Sequence, residues 1–215
     1  MPFYLLFDEC LPILELLTLR TRVATREQLL RFAKLYPAEM PRVASILSSL
    51  EQSGYLISHR LTVPLLRFKY PVYAWEPGSV APDFHEIANL LTARSYAAPW
   101  RAVRLYWAAR KAESLTGGLS GVNRQPLQVQ HDLGTTAAYL HLLAHDPLEA
   151  DRWLGEDILL RDFPSRLPRK RPDAAVIEDD GEPTRLIEIG GVYSPEDLRR
   201  IHRHYSRQGV CYEIW

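Results

Sequence analysis

The chain has 215 residues, 47% of them hydrophobic, and its 26 basic and 26 acidic residues give a formal net charge of zero. This length allows one large domain or two small ones, and we expect two. A neutral balance excludes a uniformly basic nucleic-acid sleeve, because counterion release needs clustered lysine and arginine. No apolar run is long enough to span a membrane, and the first residues lack a secretion leader. The two cysteines show no metal-ligand spacing, so we expect a cytoplasmic protein without a membrane partner.

The beginning of the chain predicts two short helices. The first covers the apolar stretch at residues 11–19, with Pro12 in its first turn, and ends near Arg20. The second begins at Thr25, whose hydroxyl caps the helix while Gln28, three residues later, closes a capping box. The second helix has an apolar face formed by Leu29, Leu30, Phe32 and Ala33.

A third helix and a hairpin are predicted next. Pro37 stops the second helix, Pro41 is a favourable first residue for the third, and Gly54 supplies its left-handed C-terminal residue. The sequence then changes to a strand pattern rich in aromatic and β-branched residues. The predicted strands of this hairpin wing are residues 55–57, 67–70 and 72–75.

Three helices followed by a wing predict an N-terminal winged helix-turn-helix over residues 1–80 that binds double-stranded DNA. Between Arg20 and Lys69 there are nine basic and three acidic residues, which favours phosphate contact. The predicted DNA contacts are Arg26, Arg42, Ser45, Ser49, Gln52 and Arg60. Winged helices often act in pairs, so a homodimer remains open, and a winged helix used only for protein contacts is the alternative.

Residues 81–122 are predicted to be a helical linker, with a helix from about Asp83 to Glu113 that Pro99 kinks. The second half of this helix interleaves arginines with tryptophan and tyrosine. Such a mixture either grips a DNA backbone or buries its aromatic rings between two domains, and we favour the bridging helix.

The remaining segment, residues 123–215, predicts a mixed domain. After a short strand at 126–130 comes a core in the order αβββαβ, with a turn at Asp179-Asp180-Gly181 between the second and third strands of that core. Its elements are a helix at 133–145, strands at 153–160, 173–178 and 185–189, a helix at 195–207 and a strand at 210–215. The fold class is therefore α+β.

Two carboxylates lie where this hairpin begins and ends. Asp173 follows Pro172 at the start of one strand, and Glu188 ends the next, so we expect them to meet and to suit a hard cation such as Mg²⁺. The element order and these residues resemble the PD-(D/E)XK nuclease superfamily. The resemblance implies a restriction-endonuclease-like domain with Asp173 and Glu188 as metal ligands and Glu156 as a third catalytic acid.

The lysine that this superfamily places two residues after the second acid is replaced by Gly190. A basic residue of the next helix could substitute, although arginine is a poor general base. The candidates are Arg199, Arg200 and Arg203. A nuclease-like domain that no longer cleaves is therefore favoured over an active Mg²⁺-dependent endonuclease. Ordinary pairing of the two carboxylates with Arg169, Lys170 or Arg171 stays open.

Over its whole length the chain resembles the replication-relaxation family. The segments that carry the resemblance are "LSSLEQSGYL", "HDLGTTAAYLHL", "RPDAAVIEDDGEPTRLIEIGG" and "YSPEDLRRIHRHYSRQGVCYEIW". The resemblance implies a DNA-binding accessory or regulatory protein of plasmid or mobile-element replication or mobilisation. An interaction scaffold that does not meet DNA is a further hypothesis.

Paired histidines offer a rival metal site. His141 and His145 are one helical turn apart, and His202 and His204 lie in the last helix. No third ligand is evident, and the helix lacks the glutamate of a zinc protease, so ordinary histidines are favoured.

Overall fold

The computed structural model describes residues 4–36, 42–66, 68–168 and 170–215. They form an α+β protein with two β-sheets. The predicted helix limits at Pro37 and Pro41, and the basic residues Arg67 and Arg169, lie outside the described residues. Among the described residues, no helix combines the length and apolar character needed to cross a bilayer.

The N-terminal part begins with three helices that pack on one another. They are α1 (Tyr4–Glu15), α2 (Arg26–Leu35) and α3 (Val43–Gln52). The predicted capping box of α2 is confirmed, with Thr25 and Gln28 bonded to each other's backbone nitrogens, and Gly54 has the expected positive φ of 72°. Pro12 lies inside α1 instead of in its first turn, and residues 16–20 continue as a π-helical turn.

The predicted wing is wrong in its pairing. Strand β2 (Leu56–Pro64) pairs with β4 (Trp100–Ala108), with Leu56 opposite Ala108 and Pro64 opposite Trp100. Short strand β1 (Ala24–Thr25) completes the first sheet in the order β1-β4-β2. The described residues 68–70 form no strand. We call the β2–β4 pair the ribbon.

The predicted bridging helix is also wrong beyond residue 96. Helix α4 (Phe84–Tyr96) is present, but the segment after Pro99 is strand β4, followed by α5 (Arg110–Thr116). The aromatic and β-branched residues of β4 suit a strand, and nine residue pairs with β2 hold them there. Trp107 is buried in the same cluster as Val129 and Leu133 of the later helix at residues 126–145, so this ring does lie between the first sheet and the C-terminal part, although it comes from a strand and not from a helix.

The C-terminal elements follow the predicted order with two added helices. They are α6 (Pro126–His145), α7 (Pro147–Asp151), β5 (Trp153–Gly155), α8 (Glu156–Asp162), β6 (Ala174–Ile177), β7 (Pro183–Glu188), α9 (Pro195–Ser206) and β8 (Cys211–Ile214). The predicted strand at 126–130 is the first turn of α6, which starts at Pro126. The predicted strand at 153–160 is short, because the chain turns into α8 after Gly155.

The second sheet has the order β3-β8-β7-β6-β5, where β3 is Tyr73–Trp75. Strands β5, β6 and β7 are antiparallel neighbours, whereas β7 and β8 are parallel and α9 connects them. Alternate residues of β6 enter two different cores: Val176 faces the side with α6, and Ala175 faces the side with α4 and α9. The sheet is therefore covered on both faces.

One hydrophobic core joins both parts of the chain. Leu29 and Ile46 of the N-terminal helices belong to the same cluster as Tyr139 of α6 and Trp153 of β5. The indole nitrogen of Trp153 also donates to the carbonyl oxygen of Arg20 at 2.9 Å. Strand β5 is therefore held against α6 and the turn that follows α1.

Candidate functional site

Asp173 and Glu188 lie at the same end of the hairpin. The Asp173 backbone nitrogen donates to the carbonyl oxygen of Ile187 at 2.9 Å, just beyond the paired residues of β6 and β7. The Ile189 backbone nitrogen donates to Asp173 Oδ2 at 2.7 Å. The two acids therefore lie at the same end of strands β6 and β7. The negative charge of Asp173 raises the pKa of the Glu188 carboxyl.

Glu188 is completely buried and has three hydrogen-bond donors. Lys170 Nζ and the Tyr205 hydroxyl donate to Oε2 at 2.9 and 2.8 Å, and the Tyr193 hydroxyl donates to Oε1 at 2.6 Å. Burial raises the pKa of Glu188, the charge of Asp173 raises it further, and Lys170 opposes the rise. Both oxygens of this carboxylate are committed to protein donors.

Asp173 is held by a histidine from α6. His131 Nε2 lies 3.1 Å from Asp173 Oδ2, and His131 Nδ1 lies 3.4 Å from Asp132 Oδ1. Burial lowers the pKa of His131, but the hydrogen bonds and charges of Asp132 and Asp173 outweigh it and raise the pKa to about 10. An imidazolium therefore bridges two carboxylates at neutral pH. Sequence analysis missed this residue as part of the site.

Glu156 adjoins Asp173 through the backbone but not through its carboxylate. Its backbone nitrogen donates to the Asp173 carbonyl oxygen at 3.0 Å, and both residues line one cleft. The Glu156 carboxylate pairs with Arg22 at 3.0 Å, and Arg22 also forms a two-pronged ion pair with Asp157. Arg22 was not predicted as a site residue. Because Arg22 forms an ion pair with the Glu156 carboxylate, the guanidinium group balances the charge of Glu156, which is not directed toward a metal ion.

The basic residue at the acidic pair is Lys170, not an arginine of α9. Arg199 and Arg200 pair instead with Glu196 and Asp197 on their own helix. Lys170 comes from the loop before β6, and its ammonium group also donates to the carbonyl oxygen of Arg171 at 2.9 Å. The sequence left open an ordinary ion pair between a hairpin carboxylate and a basic residue just before the hairpin. The structure contains this pair, formed by Lys170 and Glu188.

Gly190 is surrounded too closely to carry any side chain. A Cβ atom there would lie 2.5 Å from Leu91 Cδ2 and 3.0 Å from the carbonyl oxygen of Trp215. Leu91 is fully buried between α4 and the sheet. The lysine of the nuclease superfamily therefore has no room at this position, which is a packing reason for its absence.

We expect Gly190→Ala to lower the free energy of unfolding by about 2 kcal/mol, since overpacking a well-packed core costs about 1–3 kcal/mol. Gly191→Ala is the matched control, because a Cβ at Gly191 would meet nothing within 4 Å. Urea unfolding followed by circular dichroism measures both. Equal stabilities of the two variants would contradict the close packing at Gly190.

The carboxylates as arranged do not fit a resident Mg²⁺. The ion prefers oxygen ligands in an octahedral set, whereas Glu188 is saturated by three donors and Glu156 is paired with Arg22. Among the described residues, no group of three or more histidine, cysteine, aspartate or glutamate side chains is arranged to hold a metal ion. We therefore derive no step through a metal.

The histidines of the rival site have other partners. The rings of His141 and His145 stack with centroids 4.1 Å apart, and His141 also meets the Trp215 ring edge-on. Burial and the neighbouring His145 lower the pKa of His141. His202 Nδ1 lies 2.8 Å from the Tyr212 hydroxyl. These contacts are those of packed histidines.

The predicted DNA contacts lie on two elements and at the start of a third. Four of them are on or beside α3: Arg42, Ser45 and Gln52 are exposed, and Ser49 is half-buried. Arg26 is exposed at the first residue of α2, and Arg60 is exposed on β2. The ribbon adds a residue that sequence analysis assigned to the bridging helix, because Arg104 lies directly opposite Arg60.

Arg60 and Arg104 place two positive charges on one face of the ribbon. Like charges that face each other across a strand pair destabilise it unless an anion is near. Arg104 contacts Ser58 at 3.0 Å and Glu51, the acidic residue near the end of α3, at 3.4 Å. The described residues include no ion-pair partner for Arg60. Of the two arginines, only Arg104 therefore has a carboxylate partner among the described residues.

Comparison of the chain with models of protein families, with curated proteins and with solved structures found no match.

Proposed function

We propose that this protein binds double-stranded DNA through α3 and the ribbon. In this proposal the C-terminal half is a restriction-endonuclease-like domain that does not cleave. The resemblance to the replication-relaxation family motivates a role as an accessory or regulatory protein of plasmid or mobile-element replication or mobilisation. The proposal has three supports: the order of the N-terminal elements, the charge of the ribbon and the commitment of the carboxylates.

The element order supports a winged helix-turn-helix. Three helices are followed by the antiparallel ribbon, and β1 lies on the other side of β4 in the sheet. Helix α3 buries Val43, Ile46, Leu47 and Leu50 and leaves Ser45 and Gln52 exposed. An exposed polar face on the last helix before a wing is the arrangement with which this class enters the major groove.

The single observation that carries the proposal is the pairing of Arg60 with Arg104. Two exposed arginines opposite each other repel, whereas a phosphate between them would remove the repulsion and accept charge-assisted hydrogen bonds. The pair lies beside the C-terminal end of α3, since Arg104 contacts Glu51. A duplex seated on α3 would bring its backbone to this face.

The arrangement of the acidic site supports binding without cleavage. A hydrolytic site needs carboxylate oxygens that are available to a metal or to water, but those of Glu188 are buried and hydrogen-bonded. In this proposal Lys170, Glu188 and the two tyrosines stabilise the hairpin. The nuclease-like domain then acts as a support for the DNA-binding part.

We expect purified protein to bind a 20-base-pair duplex with an affinity that falls with salt, and not to cleave it with Mg²⁺ or Mn²⁺. Arg60→Ala should weaken binding about tenfold and lower the salt slope by about one, because one phosphate contact is lost. The matched control is Arg203→Ala, an exposed arginine on α9. Fluorescence anisotropy gives the affinities, and gel analysis of the same tubes gives cleavage. Salt-independent binding, or equal loss in both variants, would contradict the proposal.

A metal-dependent endonuclease is the second candidate, and Lys170 favours it. An ammonium group 2.9 Å from Glu188 supplies the positive charge that Gly190 cannot. If the protein nicks supercoiled plasmid only with Mg²⁺, and Asp173→Ala abolishes the nicking, the endonuclease function is correct and the proposal of binding without cleavage is wrong.

A further inference from the structure

A groove lies behind the ribbon, between the start of α2, the outer half of β4 and α6. Its volume is about 790 Å³. Strand β1 pairs only with Leu105 and Tyr106 of β4, so within the described residues the edge of β4 at 100–104 has no strand partner on that side. The groove follows this unpaired edge. It is separate from the acidic site.

The lining of the groove is basic at its rim and apolar at its floor. Four arginines line it, against one glutamate, Glu27: Arg26, Arg31, Arg101 and Arg104. Among the described residues, Arg26, Arg31 and Arg101 have no ion-pair partner. Leu65, Leu133 and Ala137 are among the apolar residues that line it. Paired bases of a duplex are stacked and cannot reach an apolar floor, but unpaired bases can.

Trp100 lies at the tip of the ribbon, next to the groove. It is 59% exposed, and it contacts no other ring in the described part of the chain. Its neighbours Pro99 and Arg101 line the groove. Because side chains alternate along a strand, Trp100 falls on the same face as Arg104 and therefore as Arg60. Trp100 thus lies where the face that carries the arginine pair meets the groove, which Arg104 also lines.

We propose that the groove binds a single strand of DNA adjoining the duplex, with Trp100 stacked on a base at the junction. The arginines of the rim contact the phosphates, and the apolar floor accepts unstacked bases. This inference rests on the proposed function, since the duplex face is the one that carries Arg60 and Arg104. It adds the substrate class: a duplex with a single-stranded tail.

The experiment compares three fluorescein-labelled oligonucleotides by anisotropy: a blunt 20-base-pair duplex, the same duplex with a ten-nucleotide dT tail, and dT20. We expect the tailed duplex to bind about tenfold more tightly than the blunt one, as one stacked base and its phosphates add to the duplex contacts. Trp100→Ala should remove this preference, so that this variant binds the tailed and the blunt duplex with affinities within about twofold of each other. Trp100→Phe should retain most of it, because phenylalanine still stacks.

Intrinsic fluorescence gives an independent readout. The other four tryptophans, Trp75, Trp107, Trp153 and Trp215, are at most 6% exposed. Quenching by unlabelled tailed duplex should therefore report Trp100 and should vanish in Trp100→Phe. Thermal melts of both variants show that the exposed substitution leaves the fold intact.

The outcomes separate this inference from the proposed function. If Arg60→Ala weakens the blunt duplex but the tail adds nothing and Trp100→Ala has no effect, the groove proposal is overturned and duplex binding stands. If dT20 binds and depends on Trp100 while the blunt duplex does not bind, the groove proposal stands and duplex binding falls. If no oligonucleotide binds, both are overturned, and an extended peptide paired with the edge of β4 becomes the occupant to test.

Discussion

Replacing Lys170 with methionine should lower the free energy of unfolding at pH 7 by about 2–3 kcal/mol. The change leaves the fully buried Glu188 without its cationic partner, and breaking a buried ion pair from one side costs about 3–5 kcal/mol. We take a smaller value because the Lys170 side chain is 35% exposed, and because Glu188 can escape the penalty by taking up a proton. Urea unfolding followed by circular dichroism measures the change.

The second variant in this series is Lys170→Met combined with Glu188→Gln. The amide oxygen of glutamine still accepts from one of the hydroxyls of Tyr193 and Tyr205, its amide nitrogen donates to the other, and the side chain carries no charge, so the double variant should recover at least half of the lost stability. Arg200→Met is the surface control, since its pair with Asp197 is exposed and should be worth less than about 0.5 kcal/mol. If Lys170→Met is as stable as this control, the ion pair of Lys170 with Glu188 contributes no more to the free energy of unfolding than an exposed pair, and the prediction is wrong.

A second large effect is expected in the dependence of stability on pH. The folded protein keeps the proton of His131 up to a pKa of about 10, whereas the ordinary pKa of a histidine side chain is 6.5. A raised folded-state pKa means that the stabilisation is complete below pH 6.5 and is lost as the pH rises toward 10. We expect this loss to be on the order of 2 kcal/mol, because His131 is largely enclosed and is paired with Asp132 and Asp173.

Urea unfolding of the wild type and of His131→Gln at pH 6, 8 and 10 measures this effect. The wild type should lose about 2 kcal/mol more than the variant between pH 6 and pH 10, and the two curves should approach each other at high pH. His85→Gln, which changes an exposed histidine of α4, should keep the wild-type slope. Parallel curves for wild type and His131→Gln would show that His131 does not hold its proton between the two carboxylates.

The sequence predicted those elements whose signals are local. The capping box at Thr25 and Gln28, the positive φ of Gly54 and the turn before Glu182, where Gly181 has a φ of 83°, each depend on a few neighbouring residues. The order of the strands and of helix α9 after α6 was also predicted, since apolar periodicity changes clearly there, but the short helices α7 and α8 were not. Such signals do not depend on what lies elsewhere in the fold.

The errors came from pairing between distant segments. The sequence from Trp100 to Ala108 fits a helix as well as a strand, because its apolar residues recur at intervals of three and four as well as two. This segment forms a strand and not a helix because it pairs with β2, which lies some 40 positions earlier in the chain. The sequence therefore predicted the wrong partner for β2: it predicted strands at 67–70 and 72–75, whereas β2 pairs with β4. Arg104 entered the candidate site only once β4 was paired.

The acidic site was predicted in its carboxylates but not in what neutralises them. Asp173 and Glu188 are marked by their places at the ends of a hairpin. His131, Lys170 and Arg22 come from a helix, an irregular loop and the turn after α1, and no sequence spacing links these to the hairpin. A signal was nevertheless present, since the sequence named Lys170 as one of three basic residues able to pair with the carboxylates.

The chain passes from one sheet to the other and back. Strand β3 joins β8 in the second sheet, yet β4, which follows it, returns to complete the first. During synthesis on the ribosome, Trp75 has no strand partner until Tyr212 has emerged, and that long-range pairing is slow to form. The ribbon can pair as soon as β4 has been synthesised, whereas the second sheet needs β8, so a nascent chain stalled between them carries β3 as an unpaired strand.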